Sequence, residues 1–451
     1  MSQSFEQKVA IGLGYFSTYL GLQGVAALAL PYYQMEQGLD PFLLGVLLSL
    51  PVLVGALCTN LLMRGIKQFL LHFTINQLML WLGWFVGLVF LTLWLVPDSW
   101  PETLRLALLF GLFLFYSLIL NVLIIVLKIL TFSLAKMNRD NSIFNSATFA
   151  EKIGSILYFW LFPLATLTIW ENLEQGVIAT GLIVGICVIG VTSSIMAKLL
   201  PNVNLDSRFQ LHNSQDTVEH KKTERSLEKQ ITTLMLVVWL QFGVVGLCVG
   251  VDYYLLVYFV EQGNIAAGSN LKAILSSAYA IAGILYIPVL KQLKNALNLT
   301  ECLLVVALLA GIGSVLKWFI FTPEGSDFLV LDALFGAAIW TAMTMTVPSM
   351  LTHFSRLDPS IQIENLVAKH HIVVSSAVVF ASVVSGLILN LIGFSSELLI
   401  QEQHVIPSLR IVLSVGSLFV TVLMIFLLMK INKWGTEQEN NYKRGKKIAN
   451  Y

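Results

Sequence analysis

Residues 104–139 read LRLALLFGLFLFYSLILNVLIIVLKILTFSLAKMNR. From 104 to 132 the only charged side chains are Arg105 and Lys128. A helix rises 1.5 Å per residue, so about 20 apolar residues cross a bilayer core of about 30 Å. Lipid offers the backbone no hydrogen bonds, and a helix satisfies its own within one segment. The stretch is therefore a membrane-spanning helix, and Lys136 and Arg139 close it with charge. Similar runs lie on either side: 9–33, 41–63 and 69–95 before it, and 143–170, 176–196, 231–260, 271–290, 299–321, 328–353, 365–392 and 407–429 after it. The expected fold is all-α, with twelve transmembrane helices.

Composition agrees. The 451 residues are 57% hydrophobic and 12% charged, with a mean hydropathy of +0.79. Soluble domains carry about 25% charged residues. A net charge of +1 gives no broad basic face for nucleic acid. The first run is longer than a signal-peptide core of about 7–15 residues, so it is expected to act as its own membrane signal. Cys58, Cys187, Cys248 and Cys302 lie in or beside apolar runs without metal-type spacing and read as packing residues.

The positive charges occupy alternate gaps. Lys8, then Arg64 and Lys67, then Lys136 and Arg139 mark the first three; 198–229, Lys291 with Lys294, Arg356 and the tail mark the rest. The other gaps carry Glu36, Asp40, Asp98, Glu102, Glu171, Glu174, Glu261, Glu324 and Asp327, with only Arg105, Lys272 and Arg410 as bases. The positive-inside rule then places both termini in the cytoplasm. The expected organisation is a six-helix bundle over 1–199, a cytoplasmic linker over 200–229, a second bundle over 230–432 and a basic tail over 433–451. Tyr33-Gln-Met-Glu36-Gln37-Gly38 and Tyr258-Phe-Val-Glu261-Gln262-Gly263 stand about 225 residues apart, where a parallel repeat places them. Two such halves are the plan of the major facilitator superfamily.

Ionisable groups inside spans are costly and line cavities or pair with each other. Lys128 and Glu151 lie about 12 Å from the cytoplasmic end of one hairpin, so depth allows them to pair. Lys152 points about 100° away from Glu151. Lys369, His370 and His371 enter at similar depth, and a histidine there could carry a proton. Asp252 beside Tyr253 and Tyr254 suits a sugar or cation. Lys317 and Asp332 match in depth as an outer structural pair. Tyr15, Tyr19, Trp239 and Trp340 are candidate cavity walls.

Lys8-Val-Ala-Ile-Gly12-Leu-Gly14-Tyr-Phe16 resembles the first span of the melibiose permease-like glycoside–pentoside–hexuronide:cation symporters. Tyr253-Tyr254-Leu-Leu-Val-Tyr258 resembles that family's seventh-span exit, Trp340 falls where it has an aromatic, and Glu364-Asn365-Leu366 through Ser385-Gly386 to Gly393-Phe394 resembles its eleventh span. The resemblance implies alternating access and a sugar-type solute. The departures are specific. Its sugar-binding acid falls at Tyr19, its paired cation-binding acids near Gly55 and Thr59, and its span-four acid near Asn121. Its span-five base falls near Ala147 and its span-eleven lysine near Ser376. The acidic motif after span ten is replaced by His353-Phe-Ser-Arg356-Leu-Asp358. Thr59 and Asn60 alone are poor sodium ligands.

Tyr19, Asn121, Asp252, Tyr253 and Trp340 are the expected substrate contacts, and Lys128, Glu151, Lys152, Lys369 and His370 the expected coupling or charge-relay groups. No catalytic residue, metal ligand or resident cofactor is expected. Protons rather than sodium are the expected coupling ion. The expected partners are a small solute and the bilayer, without nucleic acid, around a monomer in the plasma membrane, or the inner membrane of a bacterium. An exporter or carrier of amphipathic molecules or organic anions, and a non-transporting sensor or scaffold, remain alternatives.

Overall fold

The computed structural model describes residues 2–29, 32–33, 37–58, 61–62, 65, 74–96, 100–138, 142–200, 221–358, 361–395, 398 and 401–449. The charges expected at Glu36, Arg64, Lys67, Asp98 and Arg139, the positions Thr59 and Asn60, and linker residues 201–220 lie outside them.

Twelve helical rods follow one another. The first half holds α1 (Ser2–Ala29), α2 (Pro41–Leu57), α3 (Ile75–Thr92), α4 (Glu102–Asn138), α5 (142–165) and α6 (Leu173–Leu199). The second holds α7 (221–260), α8 (Ile265–Ala296), α9 (Leu299–Ile320), α10 (Leu329–Leu357), α11 (Ile363–Leu391) and α12 (Val405–Gly435), whose helix continues to Ala449. Among the described residues, nine of these are long and apolar enough to cross a membrane by length and composition. The helices overrun the apolar runs because polar turns extend them. Thus α7 begins at Lys221, inside the stretch expected as linker, where Lys, Glu, Arg and Leu all favour helix. Starts are set by side-chain caps: Asp40, Thr74, Asn172, Asn264 and Asn298 each accept a backbone N–H from the first turn.

The internal repeat has a structural counterpart. Gly38 after α1 and Gly263 after α7 both take positive φ, +69° and +92°. Both helices close with wide turns, Leu39 N donating to Tyr33 O at 3.0 Å and Gly263 N to Val257 O at 2.8 Å. The repeated Gln-Gly thus follows both helices with a left-handed glycine, although the two bonds stand one residue out of register and Gln262 also takes positive φ, +51°.

Helices within a half approach closely where side chains are small. Gly87 of α3 and Gly185 of α6 meet backbone to backbone, leaving no room for a β-carbon on either. The halves meet along two seams, α2 against α11 and α5 against α8. Contacts cross the seams near the acidic end, where Asn390 donates to Asp40 at 3.3 Å and Trp160 to Ser277 at 2.9 Å. They also cross at the basic end, where Arg356 of α10 donates to the Ala135 carbonyl of α4 at 3.0 Å. That carbonyl belongs to the last turn of α4, whose acceptors lack helical donors.

Candidate functional site

Ser117, Asn121 and Lys128 share one face of α4, spaced by four and seven residues. Asn121 is 4% exposed. Its Nδ2 donates to the Ser117 carbonyl at 2.8 Å, which fixes the orientation of the amide. Its Oδ1 therefore faces His371 Nε2 of α11 at 2.9 Å, and that nitrogen donates the hydrogen. His371 Nδ1 is left with its lone pair toward Lys128 Nζ, 3.4 Å away. This tautomer is assigned from the network. One imidazole thus joins two positions of α4 to α11 across the halves, and it is neutral, because a second N–H would point at the Lys128 ammonium.

The expected Lys128–Glu151 pair does not form: among the described residues no ion pair joins them, and Lys128 faces His371 instead. Glu151 still lies in the fields of Lys152 and Lys128. Tyr15 and Tyr19 of α1 lie within electrostatic reach of Glu151. Tyr19 stacks edge-on with Tyr158 of α5, ring centroids 5.8 Å apart. Lys152 crosses the second seam: a β-carbon on Gly283 of α8 would lie 2.7 Å from its Cε and 2.9 Å from Thr341 Oγ1 of α10. Lysines from α4 and α5, one carboxylate and tyrosines from α1 and α5 therefore converge where both halves meet.

Of the other expected residues, His370 lies beside this network, with its Nε2 buried and unpartnered among the described residues. Trp340 packs edge-on against Phe242 of α7 at 5.5 Å, and Trp239 lies tilted against Phe380 at 4.9 Å. Lys369 is exposed, since one residue along α11 turns the side chain about 100° from His370. Asp252 and Tyr253 are engaged elsewhere. Lys272 Nζ lies 2.6 Å from both Asp252 oxygens, and Tyr253 shares a 2.6 Å hydrogen bond with Ser269. Lys272 was expected in a polar gap, but α8 starts at Ile265 and carries it two turns inside. The aspartate expected to grip hydroxyls or a cation is thus held by a lysine. Lys317 and Asp332 do pair, at 2.6 Å to both oxygens, with Tyr279 donating to Asp332 at 2.7 Å.

Gly55 clarifies the missing acids. A β-carbon there would collide with the Asn121 amide. The space that a carboxylate on α2 would need is filled by the side chain that holds His371.

No protein-family model matches the chain, and no curated protein matches it. Solved structures do. The nucleoside transporter NupG is 14% identical over 96% of this chain and 100% of its own, with a TM-score of 0.59. A bacterial homologue of the iron transporter ferroportin, in its inward-facing state, is 15% identical over 95% and 98%, at 0.59. A bacterial homologue of the lysosomal transporter Spinster is 12% identical over 96% of both chains, at 0.58. The chain has the major facilitator fold. Identities this low carry the fold alone, and chemistry rests on the residues at the seam.

Proposed function

We propose that this protein is a secondary active transporter that moves a small polar solute across the membrane by alternating access, with protons as the coupling ion. The observation that carries the reading is the convergence of Lys128, Glu151, Lys152 and His371 at the junction of the halves. Rocking one half against the other must remake these contacts. Ionisable groups kept in an apolar interior without fixed partners are costly unless they serve such a cycle. The basic end faces the cytoplasm on this reading, with both termini there.

The solute we favour is a sugar or glycoside that bears an anionic group. Tyr15, Tyr19 and Tyr158 offer ring faces to apolar sugar surfaces. With His371 neutral, two lysines face one carboxylate, so the site carries one net positive charge. That excess also supports a second reading, a simple organic anion. Asp252 drops out as a hydroxyl acceptor because Lys272 occupies it.

The test is uptake into liposomes holding the purified protein, with glycosides, sugar acids and organic anions under imposed proton or sodium gradients. Accumulation of an anionic solute driven by protons, and lost in Glu151→Gln, is expected. Proton-driven accumulation that survives in Glu151→Gln would remove that carboxylate from the mechanism.

A further inference from the structure

The two lysines at the seam are not equivalent. Lys128 faces the imidazole of His371, whereas Lys152 forms no hydrogen bond or ion pair among the described residues. The helix sets where Lys152 goes. Ala150 and Gly154 of α5 lie against α1, at Gly12 and at the ring of Tyr19. Lys152 is two residues from each, about 200° around the helix, and so turns to α8. Helices α5 and α8 run antiparallel, with their register fixed toward the acidic end by the 2.9 Å hydrogen bond from Trp160 to Ser277. That register brings Gly283 level with Lys152. A β-carbon on Gly283 would lie 2.8 Å from Cδ and 2.7 Å from Cε of the lysine, closer than packed carbons come. Glycine inside a helix costs about 1 kcal/mol relative to alanine, and the lysine stem threaded past it accounts for its presence. Behind this notch stands Thr341 of α10, fully buried, with its Oγ1 2.9 Å from the same β-carbon position. Ala282 of α8 and Ala333 and Ala337 of α10 pack these two helices together.

We propose that the Lys152 ammonium holds the solute's anionic group, that this group is singly charged, and that Gly283 is the notch that positions the lysine for it. The proposal deepens the transport reading and rests on it for a solute. Lys152 keeps all three N–H donors for a ligand. Thr341 does not hold the anion itself: its hydroxyl donates to the Ala337 carbonyl at 2.8 Å, which leaves only lone pairs, suited to the ammonium. Charge sets the valence. Lys128 and Lys152 against Glu151 leave one positive charge, with His371 neutral and His370 neutral in the field of the same Lys128. A carboxylate brings the sum to zero. A phosphate monoester carries about −1.5 to −2 near pH 7 and would leave net negative charge in an apolar interior, which is costly. The stem comes from the first half and the notch from the second, so an anion on Lys152 sits at a junction that both halves build.

The experiment measures thermal stabilisation of the purified full chain by three probes of one carbon skeleton: glucose, gluconate and glucose 6-phosphate. No gradient is imposed, and each variant is first checked for monodisperse elution. Gluconate should raise the melting temperature of the wild-type protein at lower concentration than either of the others. Lys152→Met should weaken gluconate at least about tenfold, about 1.4 kcal/mol, and Lys152→Arg should retain its preference over glucose. Gly283→Ala should weaken gluconate about threefold on its own and add nothing in Lys152→Met, because it acts through the lysine. Glu151→Gln raises the net charge of the site to about two and should turn the preference toward glucose 6-phosphate, a change that a purely structural lysine would not produce. No stabilisation by gluconate, equal stabilisation by glucose, an unchanged response in Lys152→Met, or independent effects of Gly283→Ala and Lys152→Met would each overturn the proposal. Uptake into liposomes is a separate readout. Proton-driven accumulation of an anion that is unaffected in Lys152→Met sinks this assignment alone, and binding without any uptake sinks the transport reading alone.

Discussion

Lys272 and Lys317 each lie 2.6 Å from both oxygens of an aspartate on the adjacent helix of their own half. Lys128 and Lys152, at the seam between halves, have no carboxylate at ion-pair distance among the described residues. All four lysines sit in an apolar interior, but only the first two are neutralised where they stand. A pair inside one half travels with that half as a rigid unit and holds its hairpin through any rocking. A lysine at the seam, held by a neutral histidine and the field of one glutamate, can exchange partners when the halves move. On the transport reading, the location of a buried charge relative to the seam separates charges fixed within one half from charges that must exchange partners, which depth alone does not do.

The comparison breaks most sharply at the paired sites. Lys317→Met leaves the Asp332 carboxylate in the core with the Tyr279 hydroxyl but without its cation, and single removal of a buried partner costs about 3–5 kcal/mol. A fall of this size in thermal stability in detergent is expected. Lys317→Met combined with Asp332→Leu should recover most of it, because no uncompensated charge remains. Equal stability of the single variant and wild type would deny the pair its structural role.

Gly55→Ala comes next. The added methyl meets the Asn121 amide, and overpacking costs about 1–3 kcal/mol. Asn121→Gly in the same chain should remove that penalty while loosening His371, so melting temperature and inter-half contact should move in opposite directions. A stable Gly55→Ala protein would mean that Asn121 has room elsewhere.

Glu151→Gln sharpens the other side. Its partners are fields rather than a fixed contact, so stability should shift by about 1 kcal/mol or less. Solute accumulation should fall at least about tenfold. A large loss of stability with transport retained would reverse the two classes.

Much of this architecture is legible in the chain. Apolar runs of bilayer length, separated by charged gaps, mark the twelve helices. Gly38 and Gly263 end equivalent helices in the two halves. The spacing of Ser117, Asn121 and Lys128 marks a polar face on α4. What meets that face is not legible, because His370 and His371 differ by 100° around α11 and only packing decides which turns to α4. Asn121 was matched to an acid position, but its role depends on Gly55 being small, a fact of two helices in contact. Lys272 was misplaced because its helix, capped by Asn264, starts at Ile265, six residues before the apolar run.

The most direct measurement is the distance between the halves at the basic end with the imidazole bridge present and removed. Spin labels at Lys198 on α6 and Lys291 on α8, both exposed, would report it by pulsed electron resonance, with the four native cysteines replaced. His371 of α11 reaches both Asn121 and Lys128 of α4, so its loss should release α4 from α11. The distribution should shift to longer distances in His371→Phe than in the wild-type protein at the same pH. The same distribution in both proteins would contradict the assignment of His371 as the bridge between the halves.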